Sequence, residues 1–214
     1  MGFSDVLLQG NLDSEEVKEY AGYIKTSGKR MLQLIANIMD FAKIDSGQEA
    51  VNMQPFVINQ LMNKILDLYR NKAFNKGLEL NCAIPECLKD CIIVSDESKL
   101  LQILAKLMDN ALDFTLKGYV EFSCDLMGNS LILRVKDSGV GISPINQTKI
   151  FESFYQADMS ITRKHEGVGL GLPICKGLGK LLGGDIYLVS DPDKGSEFSL
   201  IVPVEILDNG HLEP

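Results

Sequence analysis

The apolar positions early in the chain fall in alternating steps of four and three. Val17, Ala21, Ile24, Gly28, Met31, Ile35, Ile38 and Ala42 form a seven-residue repeat over more than three heptads, the spacing of a coiled-coil-like seam. Asp13 is a good N-cap, and Glu16 three residues later completes a capping-box pattern. The pattern predicts one helix over 13–46. It favours a helix hairpin or a dimer bundle over a lone surface helix, with Gly28 as the weak point of the seam. The stretch "GFSDVLLQG" gives barely two turns before a turn at Gly10 and Asn11. The expectation is a truncated hairpin whose missing part lies N-terminal to residue 2.

"DSGQ" (45–48) ends that helix, a polar extended stretch follows, and Pro55 and Phe56 begin new structure. Leu61, Ile65, Leu68 and Tyr69 predict a helix over 58–75. Strands are expected at Leu78–Ala83 and within "CIIVS". Ser95 or Asp96 then caps a long amphipathic helix, "SKLLQILAKLMDNALDFT". "YVEFSCDLMGNSLILRVKD" reads as a hairpin about Gly128–Asn129. A Gly-rich region spans 138–171, "LPICKGLGKLLGG" is helical, and "DIYLVSDPDKGSEFSLIVPV" is a last hairpin. Residues 1–50 thus form a helical domain, and 51–214 a mixed one, α+β in class.

Composition narrows the function classes. The 214 residues carry a net charge of −8, which argues against a general nucleic-acid or anionic-membrane surface. No apolar run approaches the ~18 residues needed to span a bilayer, and the N-terminus lacks the basic region and cleavage site of a signal peptide. The five cysteines, Cys82, Cys87, Cys91, Cys124 and Cys175, are odd in number and scattered. Reduced thiols in a cytoplasmic protein fit them better than a zinc site.

Candidate chemistry lies in one helix and three glycine clusters. In "AKLMDNALDFT" the spacing puts Lys106, Asn110 and Asp113 on one helix face. "DSGVG" (137–141) follows a strand and can present Asp137 into a pocket, where a carboxylate accepts a hydrogen bond from an exocyclic amine. "GVGLGLPI" (167–174) runs into a helix whose free N–H groups suit phosphates. Its G-x-G-x-G spacing, late in the chain, rejects a Rossmann fingerprint, and no P-loop motif occurs. "KGSEF" (194–198) sits in a β-turn.

The order of these boxes resembles that of sensor histidine kinases: a helix amide, D-x-G-x-G, I-F-E-x-F, G-x-G-L-G-L, then G-S-x-F. The stretch from "IFESFYQ" to "FSLIVP" resembles that family almost continuously. "MLQLIANIMDFAKIDSGQ" resembles the second helix of its dimerisation hairpin, and "GFSDVLL" the end of the first. The resemblance implies a hairpin remnant followed by a two-layer α/β sandwich of the histidine kinase, gyrase and Hsp90 nucleotide-binding type. It implies ATP with Mg²⁺, the metal falling to Asn110, and adenine read by Asp137, with Gly139, Gly141 and Ile142 passing the base. Phe151 and Phe154 would pack at the start of a mobile lid. Arg163 or Lys164 would reach the phosphates, and Gly167, Val168, Gly169, Leu170, Gly171 and Leu172 would close over them. Ser196 would support the pocket. The implied partners are a response regulator receiver domain and a second copy through the hairpin. The setting is cytoplasmic, with the parent protein open to membrane attachment.

The chain departs from that family pattern at four positions. Lys106 stands where a second asparagine is usual, Asp113 where a lysine is usual, Val168 within G-T-G, and Glu166 where glycine is common. At ~5 Å from a phosphate oxygen, Asp113 would repel by roughly 3 kcal/mol per unit charge pair at an effective dielectric of 20, with Lys106 a possible offset. The phosphoacceptor histidine is expected about three helical turns before Gly2. The histidines present, His165 and His211, do not match it, so this chain alone is not expected to autophosphorylate. The alternative is a degenerate kinase-like module that acts by partner binding. A chaperone- or topoisomerase-type ATPase is disfavoured, because its general-base glutamate would fall at position 106.

Overall fold

The computed structural model describes residues 2–8, 12–156 and 168–208. The chain divides into two compact units, Met1–Ala42 and Lys43–Pro214. In the first, α1 (Phe3–Leu8) precedes α2 (Ser14–Asp45), which runs on into the second. Phe3 stacks on Tyr20 and Tyr23, with ring centroids 5.7 and 5.1 Å away. The capping box closes as its spacing requires. Asp13 Oδ1 accepts from the N–H groups of Glu15 and Glu16, both at 2.8 Å, and Glu16 Oε2 accepts from the Asp13 N–H at 3.0 Å. Val17, Ile24, Met31, Ile35 and Ile38 of the heptad seam are exposed, and α2 buries no residue. The helix stops where Gly47 adopts φ 66° and Gln48 N–H returns to the Lys43 carbonyl at 2.9 Å.

The second unit has two sheets. The larger orders its strands β2-β4-β5-β7-β6: β2 (Glu79–Ala83), β4 (Tyr119–Met127), β5 (Ser130–Asp137), β6 (Asp185–Asp191) and β7 (Gly195–Pro203). The β2–β4 pair is parallel and the others antiparallel. Period-2 patterning gives this sheet one covered face. Val120, Phe122 and Cys124, then Leu131, Leu133 and Val135, then Phe198, Leu200 and Val202 are buried. Helices α3 (Ile58–Lys76), α4 (Glu97–Phe114) and α6 (Gly171–Leu181) pack over the sheet. Their apolar stripes, such as Leu100, Ile103, Leu104, Leu107, Met108 and Ala111 of α4, complete the core. A short helix, α5 (Pro144–Gln147), lies in the loop after β5. Leu68, expected on the inner face of α3, is exposed instead.

The smaller sheet, β1 (Gln54–Val57), β3 (Ile92–Ser95) and β8 (Glu205–Asp208), is antiparallel in the order β1-β3-β8. It leads directly into α4. Asp96 is the N-cap and accepts from Lys99 N–H at 3.1 Å and from Ser98 Oγ at 2.6 Å, while its Oδ2 accepts from Asn52 N–H at 2.8 Å. Lys99 is only 6% exposed, and its ammonium lies 2.8 Å from Glu49 and 3.4 Å from Asp96. The start of α4 is therefore anchored by buried charge as well as by apolar packing.

Candidate functional site

Asp137 continues the inward register of Leu131, Leu133 and Val135 to the last position of β5. A period of two therefore places a carboxylate where the strand would otherwise supply core. Its partner across the ladder is Ser196, the second residue of β7, which is also buried. Asp137 Oδ1 accepts from Gly139 N–H at 2.8 Å and from Ser196 N–H at 3.3 Å. Oδ2 takes no hydrogen bond among the described residues and is not itself a buried atom, so one acceptor of a buried side chain is left open at the surface of the loop. Burial pushes the carboxyl above its usual range, and the two backbone donors only partly offset this.

Glycines let the backbone close around that carboxylate. A Cβ at Gly139 would stand 2.4 Å from the Phe114 carbonyl oxygen, and one at Gly195 (φ 87°) 1.9 Å from the Asp137 carbonyl oxygen. Gly141 has φ 66°, and a Cβ there would meet the Asp191 carbonyl oxygen at 2.0 Å. Ser190 ties the loop to β6. Its Oγ accepts from Ile142 N–H at 2.8 Å, donates to the Gly195 carbonyl at 2.9 Å and lies 3.1 Å from Ser196 Oγ. Gln147 Nε2 adds bonds to the carbonyls of Ile142 (2.9 Å) and Ser190 (2.8 Å). A shallow recess of about 200 Å³ beside this loop is lined by Leu116, Lys117, Ser138, Gly139, Val140 and Asp193.

Helix α4 presents two polar edges. Lys106 and Asn110 are half-buried, and Asn110 makes no side-chain hydrogen bond among the described residues. Lys106 is near enough to act electrostatically on the Cys175 thiol of α6, and Cys175 Sγ contacts the Ile103 carbonyl at 3.8 Å. The first turns of α6 therefore run beside the middle of α4. The other edge faces α3, where Tyr69 Oη donates to the Ala105 carbonyl at 2.7 Å, Lys72 pairs with Asp109 at 2.5 Å and Lys76 pairs with Asp113 at 2.7 Å. Burial, then the neighbouring Asp109 and Asp113, drive the Tyr69 phenol upward. Asp113 shares helical spacing with Asn110, yet its Oδ1 is engaged from the opposite side, by a lysine on another helix.

The second glycine cluster is described from Val168 onward; Arg163, Lys164, Glu166 and Gly167 lie outside the described residues. Gly169 has φ 71°, and its carbonyl accepts from Phe154 N–H at 3.1 Å. A Cβ on Gly169 would press against the Tyr155 carbonyl at 2.6 Å. The segments on either side of the undescribed stretch are thereby pinned together. Leu170 is buried and precedes Gly171 and Leu172 in the first turn of α6. A Cβ on Gly171 would meet nothing within 4 Å. Phe151 packs edge-on against Phe198 at 6.5 Å, under Lys176 at 5.0 Å. Phe154 does not pack as expected. It is 61% exposed and takes φ 66°, a left-handed backbone rare for an aromatic residue.

Sequence reasoning missed Lys76, Ser190 and Gln147. Lys76 carries no local signal, being an ordinary C-terminal helix lysine 37 residues from its partner. Ser190 could have been found, because it faces Ser196 across the hairpin whose turn had been read. None of the five cysteines forms a disulfide, and burial raises Cys82 to about 11 and Cys124 to about 12. Among the described residues no group of His, Cys, Asp and Glu could hold a metal ion. No described helix is long and apolar enough to cross a membrane.

A two-layer sandwich with a buried acid and glycine turns at one sheet end defines a fold that solved structures share. Full-length ShkA in complex with AMPPNP is similar at TM-score 0.80 and 28% identity, over 93% of this chain and 41% of that one. The catalytic domain of histidine kinase ThkA shares the fold at TM-score 0.62 and 23% identity, over 71% of this chain and 95% of that one. The model of the "Histidine kinase-, DNA gyrase B-, and HSP90-like ATPase" family matches residues 95–206, and that of the "His Kinase A (phospho-acceptor) domain" residues 1–47. Hybrid signal transduction histidine kinase K of Dictyostelium discoideum is 36% identical over 208 residues, 91% of this chain and 17% of that protein. Signal transduction histidine-protein kinase BarA of Escherichia coli K12 is 30% identical over 214 residues, 98% of this chain and 23% of that protein. The chain belongs to the histidine kinase-, DNA gyrase B- and HSP90-like ATPase family, among its sensor histidine kinases. It spans about a fifth of the length of these relatives.

Proposed function

We propose that residues 51–214 bind Mg²⁺–ATP and serve as the catalytic domain of a sensor histidine kinase, with 1–50 belonging to its dimerisation and phosphoacceptor hairpin. The observation that carries this reading is the open Oδ2 of buried Asp137, held in place by backbone donors to Oδ1. An accessible carboxylate oxygen on an otherwise buried side chain, in a glycine-lined turn, suits the exocyclic amine of adenine, and Gly139, Gly141 and Ile142 form the wall that passes the base. The Ser196 and Ser190 hydroxyls lie next to Asp137 and suit the remaining ring edge.

The free amide of half-buried Asn110 suits a hard cation that keeps most of its water. Bound there with the triphosphate, Mg²⁺ would supply neutralisation of phosphate charge. Lys106, beside the first turn of α6, lies on the same edge. The α6 N-terminus offers the N–H groups of Gly171 and Leu172 to phosphate oxygens, with Val168, Gly169 and Leu170 leading in and Gly167, Arg163 and Lys164 in the lid before them. The domain's contribution to transfer is then positioning and charge neutralisation.

In the parent protein the γ-phosphoryl group would pass to a histidine on the first hairpin helix and then to a response regulator receiver domain. The exposed heptad seam of α2 supports a homodimer. The catalytic part would work in the cytoplasm. A second reading, partner binding without turnover, is favoured by Lys106, Asp113 and Val168. Calorimetric titration of the chain with Mg²⁺–AMPPNP, followed by an assay of γ-phosphoryl transfer from Mg²⁺–ATP to a separately supplied histidine-bearing hairpin, separates the two. Binding with transfer supports the kinase reading, and binding without transfer supports the second. No binding at millimolar nucleotide overturns the nucleotide-site assignment.

A further inference from the structure

We propose that the backbone of Phe154, rather than its ring, positions the phosphate-binding start of α6 by clasping the Gly169 peptide. The inference rests on the nucleotide-binding reading above. Phe154 takes φ 66° and Gly169 φ 71°. A left-handed backbone is unfavourable at an aromatic residue and persists only where the surroundings enforce it, commonly at ligand clamps. Here it turns the Phe154 N–H onto the Gly169 carbonyl at 3.1 Å. The two backbones approach closely. A Cβ on Gly169 would stand 2.6 Å from the Tyr155 carbonyl oxygen, 2.9 Å from the Phe154 carbonyl carbon and 3.0 Å from the Tyr155 nitrogen. Glycine is therefore required at 169 by φ and by space alike. The Phe154 ring is 61% exposed, so the strained backbone does not serve to bury it.

Each half of the clasp is tied to a different part of the fold. On one side the Glu152 carbonyl accepts from Tyr155 N–H at 3.3 Å, Tyr155 Oη donates to Asn146 Oδ1 of α5 at 2.9 Å, and Phe151 packs edge-on against Phe198 of β7. On the other, Gly169 leads through buried Leu170 into the first turn of α6. The Gly169 carbonyl and the Leu170 N–H share one planar trans peptide and point in opposite directions. Holding the carbonyl on Phe154 therefore fixes the direction of the Leu170 N–H. It also fixes the entry to the turn that offers the Gly171 and Leu172 N–H groups. Donors set in place beforehand receive an anion without having to order the chain at the moment of binding. Phe154 is a positioning residue in this account, acting on phosphate through the Gly169 peptide.

The test is titration of wild type, F154G, F154N, F154P and F154V with Mg²⁺–AMPPNP and with adenosine, alongside thermal melting. F154G and F154N lose the ring but keep the N–H and accept a left-handed backbone. F154P loses the N–H and fixes φ at about −65°. The expected result is an affinity for Mg²⁺–AMPPNP within about twofold of wild type in F154G and F154N, and about tenfold lower in F154P. Adenosine binding should stay unchanged throughout. If F154P does not fold, F154V, whose branched side chain opposes a positive φ, carries the same comparison. Wild-type affinity in F154P, or in F154V standing in for it, would overturn the inference and leave the nucleotide site standing. So would an equal loss in F154G and F154N, which would assign the role to the ring, or a loss shared by adenosine. A wild-type chain that does not bind Mg²⁺–AMPPNP would instead overturn the nucleotide-site reading.

Discussion

Replacing Asp137 by asparagine separates binding from folding more cleanly than any other single change. The side chain is 6% exposed, and Oδ1 already accepts from Gly139 and Ser196 N–H groups. An asparagine carbonyl can take over those two bonds. Its NH₂ then occupies the position of Oδ2 and turns the open acceptor into a donor facing a donor, the adenine amine. Loss of a hydrogen bond to a charged acceptor costs about 1.5–3 kcal/mol, and the mismatched donor adds to it, so affinity for Mg²⁺–AMPPNP should fall roughly a hundredfold or more.

Stability should move the other way. Burial raises the folded-state pKa of Asp137 above its unfolded value. Its contribution to stability is therefore present below the unfolded pKa and is lost as pH rises through the folded one. At neutral pH wild type carries that penalty and Asp137→Asn does not, so the variant's Tm should be unchanged or higher. The same shift makes nucleotide affinity fall on acidification at a higher pH than an ordinary carboxylate would dictate. Calorimetric titration with parallel melting checks both parts. A variant that binds as tightly as wild type would refute the role given to Asp137. A variant with a much lower Tm would refute the electrostatic reasoning.

Three further changes probe the frame around the site. Gly141→Ala should destabilise by about 1–3 kcal/mol by chemical denaturation, since φ is 66° and the Cβ would stand 2.0 Å from the Asp191 carbonyl oxygen. Lys99→Met leaves Glu49 and Asp96 without their buried cation and should cost about 3 kcal/mol. Burial alone would push Asp96 up, but bonds from Ser98, Asn52 and Lys99 and the Lys99 charge outweigh it and hold the carboxyl below its usual range. That contribution is present above the unfolded pKa and disappears as pH falls through the folded one, so acid unfolding of wild type and Lys99→Met should converge at low pH. Gly28→Ala meets nothing within 4 Å and should stabilise α2 by about 1 kcal/mol, read as increased helicity and a higher melting temperature.

Local patterns made much of this fold legible in the sequence. The capping box at Asp13 and Glu16 needs residues three apart, and the alternation Leu131, Leu133, Val135 leads straight to Asp137. The Gly128–Asn129 turn sets the β4–β5 register. What escaped depends on partners far along the chain. Strand β3 lies within "CIIVS" as expected, but β1 and β8 are four residues each, too short for alternation to show, and β8 pairs with β3 across more than a hundred residues. The Lys99–Glu49 and Lys76–Asp113 pairs join residues 50 and 37 apart, so neither charge could be assigned from helix spacing alone. Asp113 is the instructive case. Its position on the helix was readable, but the partner that sets its effect was not. Phe154 was misplaced because its backbone is set by the bond to Gly169, which no side-chain pattern encodes.

The most direct test of the account is backbone amide NMR of the chain during titration with Mg²⁺–AMPPNP. The account predicts saturable shifts concentrated at Asn110, Gly139, Gly141, Gly169 and Gly171, with the seam of α2 unmoved. Shifts absent at millimolar nucleotide, or confined to residues away from Asp137 and Asn110, would contradict it.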